Sequence, residues 1–118
     1  MGQLTFSQRN KRRCEAYSGF NHPLTSWSLS DWMVATCGEL GEAANVAKKL
    51  NRYRDGVRGN DTSEHDLRQQ LADEIADTFI YLDLLAQSQG IDLMAVVESK
   101  FLKTSQKIGY AEIPHSEE

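Results

Sequence analysis

The sequence predicts an all-α protein. Apolar residues recur at three- and four-residue spacing over long stretches, the mark of amphipathic helices. β-branched residues are scattered, and no alternating apolar run is closed by a hairpin dipeptide, so strand signals are weak throughout. Helix-starting and helix-stopping residues divide the chain into four segments. With 118 residues, 40% of them hydrophobic and 25% charged, the composition is that of a packed globular protein. A single domain over residues 1–118 is expected, with a small core.

The first helix is expected from about Ser7 to Tyr17, stopped by Gly19 and the turn-like Asn21-His22-Pro23. The second begins after Ser28 or Ser30, either of which suits an N-cap, with Asp31 favourable in the first turn, and runs to about Arg52. Asn51 to Ser63 carries two glycines and several turn formers and reads as a mobile surface loop. The third helix is expected from Glu64 to Gln89, with Gly90 ending it, and the fourth from Asp92, its N-cap, to near Gly109. The tail from Tyr110, with Pro114, Glu117 and Glu118, reads as frayed.

In the third helix Leu71, Ile75, Phe79, Leu82 and Leu85 form one stripe, and Ala76, Ile80 and Leu84 place further apolar groups around the cylinder. A helix apolar nearly all round needs cover on several sides. One short chain does not readily supply it, so pairing of two copies through the long central helices is expected.

The net charge of −4 disfavours a nucleic-acid backbone as main partner, since that demands a broad positive surface. The basic run Arg9-Asn10-Lys11-Arg12-Arg13 reads as a solvated helix face. No apolar run reaches signal-peptide or membrane-span length, so no membrane partner and a cytoplasmic setting are expected. Cys14 and Cys37 lie within helical stretches without metal-type spacing.

The chemistry concentrates in Gly38-Glu39-Leu40-Gly41-Glu42 and Glu74-Ile75-Ala76-Asp77. Each acidic pair is spaced i, i+3 and shares one helix face, so two such helices side by side aim four carboxylates at one point. Either pair alone reads as an ordinary solvated face. The helical neighbours Trp32, Ala35, Thr36, Ala43 and Val46, however, set Glu39 and Glu42 into an apolar face. An uncompensated buried carboxylate is expensive, and a hard cation with oxygen ligands resolves the conflict. Gly38 and Gly41 each cost a helix about 0.8–1 kcal/mol relative to alanine, which calls for a close approach by a helix or ligand.

The GELGE helix paired with the ExxD helix resembles the MazG-like all-α NTP pyrophosphohydrolase family, including its dCTP-cleaving members. The resemblance covers about Trp27 to Gly109: CGELGEAANVAKKL at Cys37–Leu50, LADEIADTFIYLDLLA at Leu71–Ala86, and the run beginning Ser99-Lys100-Phe101. It implies a four-helix MazG-like bundle that assembles as a dimer or dimer of dimers. It also implies that Glu39, Glu42, Glu74 and Asp77 bind Mg²⁺, with Mn²⁺ a substitute. A nucleoside triphosphate completes the coordination, and water releases monophosphate and pyrophosphate. Glu39 or Glu42 takes the water proton, both remaining open. The chain departs from the family at Gly38, where members often carry a further Glu, and in the fourth helix, where the usual Asn after the lysine is missing and Thr104 is the nearest substitute. The separation of the two acidic motifs is slightly long.

Four further side chains are candidates for substrate. Tyr81 lies one turn beyond Asp77 and reaches a sugar or phosphate, or packs at an interface. Lys49, two turns past Glu42, and Lys100 on the fourth helix suit phosphate oxygens, whereas Lys48, Arg52 and Arg54 read as solvated. Trp32, two turns before Glu39, stacks on a base or belongs to the core, and Trp27 is a second stacking candidate. Asp83 falls on a different face from Asp77, and His22, His65 and His115 read as plain surface histidines. The alternative function is a non-catalytic helical dimer that binds nucleotides or partners on the same scaffold.

Overall fold

The computed structural model describes residues 2–112. Among them are four α-helices, α1 (Phe6–Glu15), α2 (Leu29–Asp55), α3 (Glu64–Ser88) and α4 (Leu93–Ile108), with a single 3₁₀ turn at Leu24–Ser26 and no strand. The all-α expectation holds. Pro114, His115, Glu117 and Glu118 lie outside the described residues.

Local chemistry sets the helix ends. Thr5 caps α1, and Gln8 returns the bond to the Thr5 backbone; Ser28 and Asp31 build the same reciprocal box at α2. Ser63 and Asp92 cap α3 and α4 through side-chain oxygens. α2 runs to Asp55, three residues past its expected end, because its stop signal is Gly56, whose φ of +68° closes the helix in the left-handed conformation. Residues 56–63 are tied back to α2: Asn60 Nδ2 donates to the Lys49 carbonyl at 2.8 Å, and the Tyr53 hydroxyl donates to the Thr62 carbonyl.

α2 and α3 pack along their lengths as an antiparallel hairpin, in a register that sets Glu39 near Asp77 and Glu42 near Glu74. Leu67, Ala43 and Val46 are buried at its loop end. At the other end the core joins Cys14 of α1, Leu24 of the 3₁₀ turn, Trp32 of α2, and Leu84 and Leu85 of α3. Trp32 is 1% exposed. A buried aromatic removes ~150–250 Å² from water, about 4–6 kcal/mol at roughly 25 cal/mol per Å².

α1 is pinned to α3 by a buried polar network. Ser7 Oγ donates to Asp83 Oδ1 at 2.6 Å, while Asn10 Nδ2 and Gln87 Nε2 donate to Asp83 Oδ2 at 3.0 and 2.9 Å. Asn10 Nδ2 also donates to the Ile80 carbonyl at 3.0 Å, and Gln87 Nε2 to the Ser7 carbonyl at 2.8 Å. Three donors converge on one buried carboxylate, which offsets much of its desolvation.

α4 leaves α3 at a bend of 97° and touches no other described helix. Within one chain the four helices therefore do not close a bundle. The stripe expected on α3 divides: Leu85 is buried and Leu71 half-buried, but Ile75, Phe79 and Leu82 remain 57%, 42% and 39% exposed, while Leu84 and Ala86 beside it are buried. On α4, Val97, Phe101 and Leu102 are exposed too. The radius of gyration is 18.6 Å, against about 13.5 Å for a compact chain of this length. The accessible surface is 9284 Å², against roughly 6,500 Å² for a compact monomer of this mass. No single described helix is long and apolar enough to cross a membrane.

Candidate metal centre and adjoining cavity

The buried face of α2 carries Trp32, Thr36, Ala43 and Val46. Glu39 lies on that face between Thr36 and Ala43 and is half-buried; Glu74 on α3 is half-buried and Asp77 exposed. One oxygen from each of Glu39, Glu74 and Asp77 comes within 4.8 Å of the others. Glu42 is outside this tight set, but its carboxyl is within hydrogen-bonding reach of both Glu39 and Glu74. The two i, i+3 pairs thus converge as their spacing requires, with one of the four acids flanking the other three.

The cluster is electrostatically strained. Burial pushes the Glu39 carboxyl above its ordinary value, and the charges of Glu42 and Asp77 push it further. Glu74 is raised by desolvation, then by its hydrogen bond to Glu42 and by the surrounding negative charges. Glu74 Oε2 is sealed from solvent and has no hydrogen-bond partner among the described residues. The ion pairs there, Arg54–Asp55 and Arg68–Glu64, lie on other carboxylates. A hard divalent cation fits this donor set: it would satisfy Glu74 Oε2 and cancel the repulsion. Ligand oxygens around an octahedral ion with bonds of about 2.1 Å lie about 3–4.2 Å apart, so small side-chain rotations suffice.

Beside the cluster is a cavity of about 400 Å³, with Glu39 and Asp77 in its wall. That size suits a small ligand, as such sites run roughly 300–1,000 Å³. Trp32 and Tyr81 line it from α2 and α3, and Phe20, His22 and Trp27 from the connection between α1 and α2. The His22, Trp27 and Trp32 rings meet edge-on, with centroids 4.5 Å apart for His22–Trp27, 4.7 Å for Trp27–Trp32 and 5.7 Å for His22–Trp32. The Trp32 indole donates to the Leu24 carbonyl at 3.0 Å, fixing its plane. Tyr81 is pushed up by burial and by Glu39 and Asp77, so its hydroxyl keeps its proton and can donate. From α1 come Asn10 and Arg13, whose guanidinium lies 5.5 Å from the Phe20 ring centroid.

The connection holds its path through two contacts. Cys14 Sγ donates to the His22 carbonyl at 3.1 Å, its thiol pushed up by burial and by Glu15. At Gly19 a Cβ would stand 2.0 Å from the Arg13 carbonyl oxygen, so only glycine fits.

Of the side chains expected to meet substrate, Trp32 and Tyr81 line the cavity, Trp32 serving also as core. Lys49 and Lys100 do not line it; Lys49 is half-buried near Asn60 and Lys100 is exposed on α4. His22 corrects the expectation of a surface histidine: it is half-buried, and its Nδ1 is sealed without a partner among the described residues. His65 is exposed at the start of α3. Asn10, within the basic run expected to be solvated, is 4% exposed, whereas Arg9, Lys11, Arg12 and Arg13 are exposed. The close approach expected at Gly38 and Gly41 is not made within the chain, since a Cβ at either would meet nothing within 4 Å.

No family model, curated protein or solved structure matches the chain.

Proposed function

We propose that this chain is a Mg²⁺-dependent nucleoside triphosphate pyrophosphohydrolase of the MazG-like type, serving to clear or sanitise (deoxy)nucleotides. The observation that carries the proposal is adjacency: Glu39 and Asp77 belong both to the carboxylate cluster and to the wall of an aromatic cavity. A nucleoside triphosphate has the matching polarity, a flat aromatic base at one end and a metal-seeking polyphosphate at the other.

On this reading Glu39, Glu42, Glu74 and Asp77 hold the ion. When bound, Mg²⁺ neutralises phosphate charge and lowers the pKa of the attacking water. The aromatic walls receive the base and exclude bulk water, which fixes where the α-phosphorus lies. Glu39 or Glu42 accepts a proton from the water as it attacks; the bond to the β-phosphate oxygen breaks, giving monophosphate and pyrophosphate. Tyr81 is within the same cavity to donate to a sugar or phosphate oxygen. The reading includes association of two copies, or a dimer of dimers, through the central helices. Exposed Ile75, Phe79 and Leu82, and the excess of surface over a compact monomer, support it.

The test is incubation with Mg²⁺ and each common NTP and dNTP, resolving the products. Monophosphate plus pyrophosphate is expected from at least one, with a loss of at least ~100-fold in a Glu74→Gln, Asp77→Asn double variant. Full activity in that variant, or no cleavage of any triphosphate, overturns the proposal. Tight nucleotide binding without cleavage would favour the non-catalytic scaffold.

A further inference from the structure

Asn10 is the one cavity-lining amide, and its orientation is settled by its neighbours. Its nitrogen lies 3.0 Å from the Ile80 carbonyl and 3.0 Å from Asp83 Oδ2. Both are acceptors, so the NH₂ must face them and Oδ1 must face away. Oδ1 receives no hydrogen bond from the described residues, nor is it sealed: the sealed, unpartnered side-chain atoms there are His22 Nδ1 and Glu74 Oε2. Asn10 is only 4% exposed yet lines the cavity, and Oδ1 is its side-chain polar atom without a partner among the described residues. Donating to a carboxylate also enriches the amide oxygen, which strengthens it as an acceptor.

We propose that Asn10 Oδ1 reads the ligand's base, accepting a hydrogen bond from an exocyclic amino group and rejecting a keto oxygen at the same place. The inference rests on the nucleotide reading above and deepens it: the substrate's base carries an amino group where uracil or hypoxanthine carries a keto oxygen, which is cytosine or adenine. Asp83 acts as the positioning residue. Buried and held by Ser7 and Gln87, it prevents the Asn10 amide from turning over. A keto base would set oxygen against oxygen at that place, whereas the aromatic walls do not tell an amino from a keto group.

Pairs of nucleotides differing by amino against keto test this. kcat/KM is measured for dCTP against dUTP and for dATP against dITP; the two arms also tell cytosine from adenine. In at least one pair the amino member is expected to be preferred by roughly 10–100-fold, the size of one buried polar mismatch. Asn10→Ala and Asn10→Ser should bring that ratio to within about threefold of unity, with circular dichroism checking that the helices are kept. Equal use of amino and keto members in both pairs overturns the inference, as does a ratio that survives in a folded Asn10→Ala variant. If no triphosphate is cleaved, the proposed activity fails and binding decides the matter. Quenching of Trp27 and Trp32 fluorescence is then titrated with dCMP and dUMP, and with dAMP and dIMP. Tighter binding of an amino member upholds the inference without the enzyme, while equal binding or none overturns it.

Discussion

Replacing Asp83 with alanine should detach α1 from the hairpin. The carboxylate is 1% exposed and takes hydrogen bonds from Ser7, Asn10 and Gln87 at 2.6, 3.0 and 2.9 Å. Each bond to such a group is worth about 1.5–3 kcal/mol, but the three share one acceptor and do not add. Truncation removes that acceptor and leaves buried donors on Asn10 and Gln87 under-satisfied, so a net loss of about 3–5 kcal/mol is expected, as for other broken buried networks. Domains of this size have only about 5–15 kcal/mol in total, and each kcal/mol moves Tm by roughly 3–5 °C, so a fall on the order of 10–20 °C should follow. Urea unfolding monitored by circular dichroism gives the free energy, and tryptophan fluorescence reports the Trp27–Trp32 region beside α1. Ser7→Ala, which deletes one bond from a half-buried hydroxyl, should cost about 1 kcal/mol. A loss below about 1 kcal/mol for Asp83→Ala, with the fluorescence unchanged, would refute the assignment of α1's docking to this network.

Glu39 and Glu74 are raised above the ordinary 4.5, so between that value and their folded ones the native chain holds protons that the unfolded chain has lost. Metal-free stability from these groups therefore falls as pH rises through that interval; the gap between wild type and a Glu39→Gln, Glu74→Gln variant should widen in the variant's favour, measured as Tm against pH. Added Mg²⁺ should raise the wild-type Tm near neutral pH, lose that effect as protons occupy the same oxygens at lower pH, and leave the double variant unmoved. Gly19→Ala forces a methyl against the Arg13 carbonyl and should cost about 2–3 kcal/mol in denaturant unfolding; a neutral effect would show that the α1–α2 connection adapts freely. Light scattering should report a dimer or larger species, and Phe79→Lys should shift it toward monomer; a monomeric wild type removes the association.

The parts of this fold that are legible in the sequence are those fixed by neighbours a few residues apart. Ser28 with Asp31, Ser63, Asp92 and the glycine after α4 mark helix ends because capping is local, whereas α2 runs on to Gly56, past its expected end. The acidic pairs were readable for the same reason: i, i+3 spacing fixes the face, and Trp32, Thr36, Ala43 and Val46 show that this face is apolar. His22, Phe20 and Asn10 were not readable. Their positions depend on the aperiodic path from Ala16 to Trp27 and on the crossing of α1 over α3, set by contacts seventy and more residues apart in sequence. Asn10 was masked further by the arginines and lysine around it, and for Asp83 the helical spacing shows only that it lies off the cluster's face. Nor did apolar periodicity reveal that α4 would turn away from α2, since the stripe states that a face needs cover without saying which chain supplies it.

The connection between α1 and α2 separates two duties. The acids sit on paired helices whose register allows little change, whereas three aromatic walls of the cavity hang on a short irregular segment anchored by Gly19 and Cys14. Exchanging residues 20–27 would leave the carboxylate cluster untouched. Variation in the size and shape of the ligand accepted should therefore accumulate in that segment, and a library confined to residues 20–27 is the economical route to changing it while Asn10 on α1 stays in place.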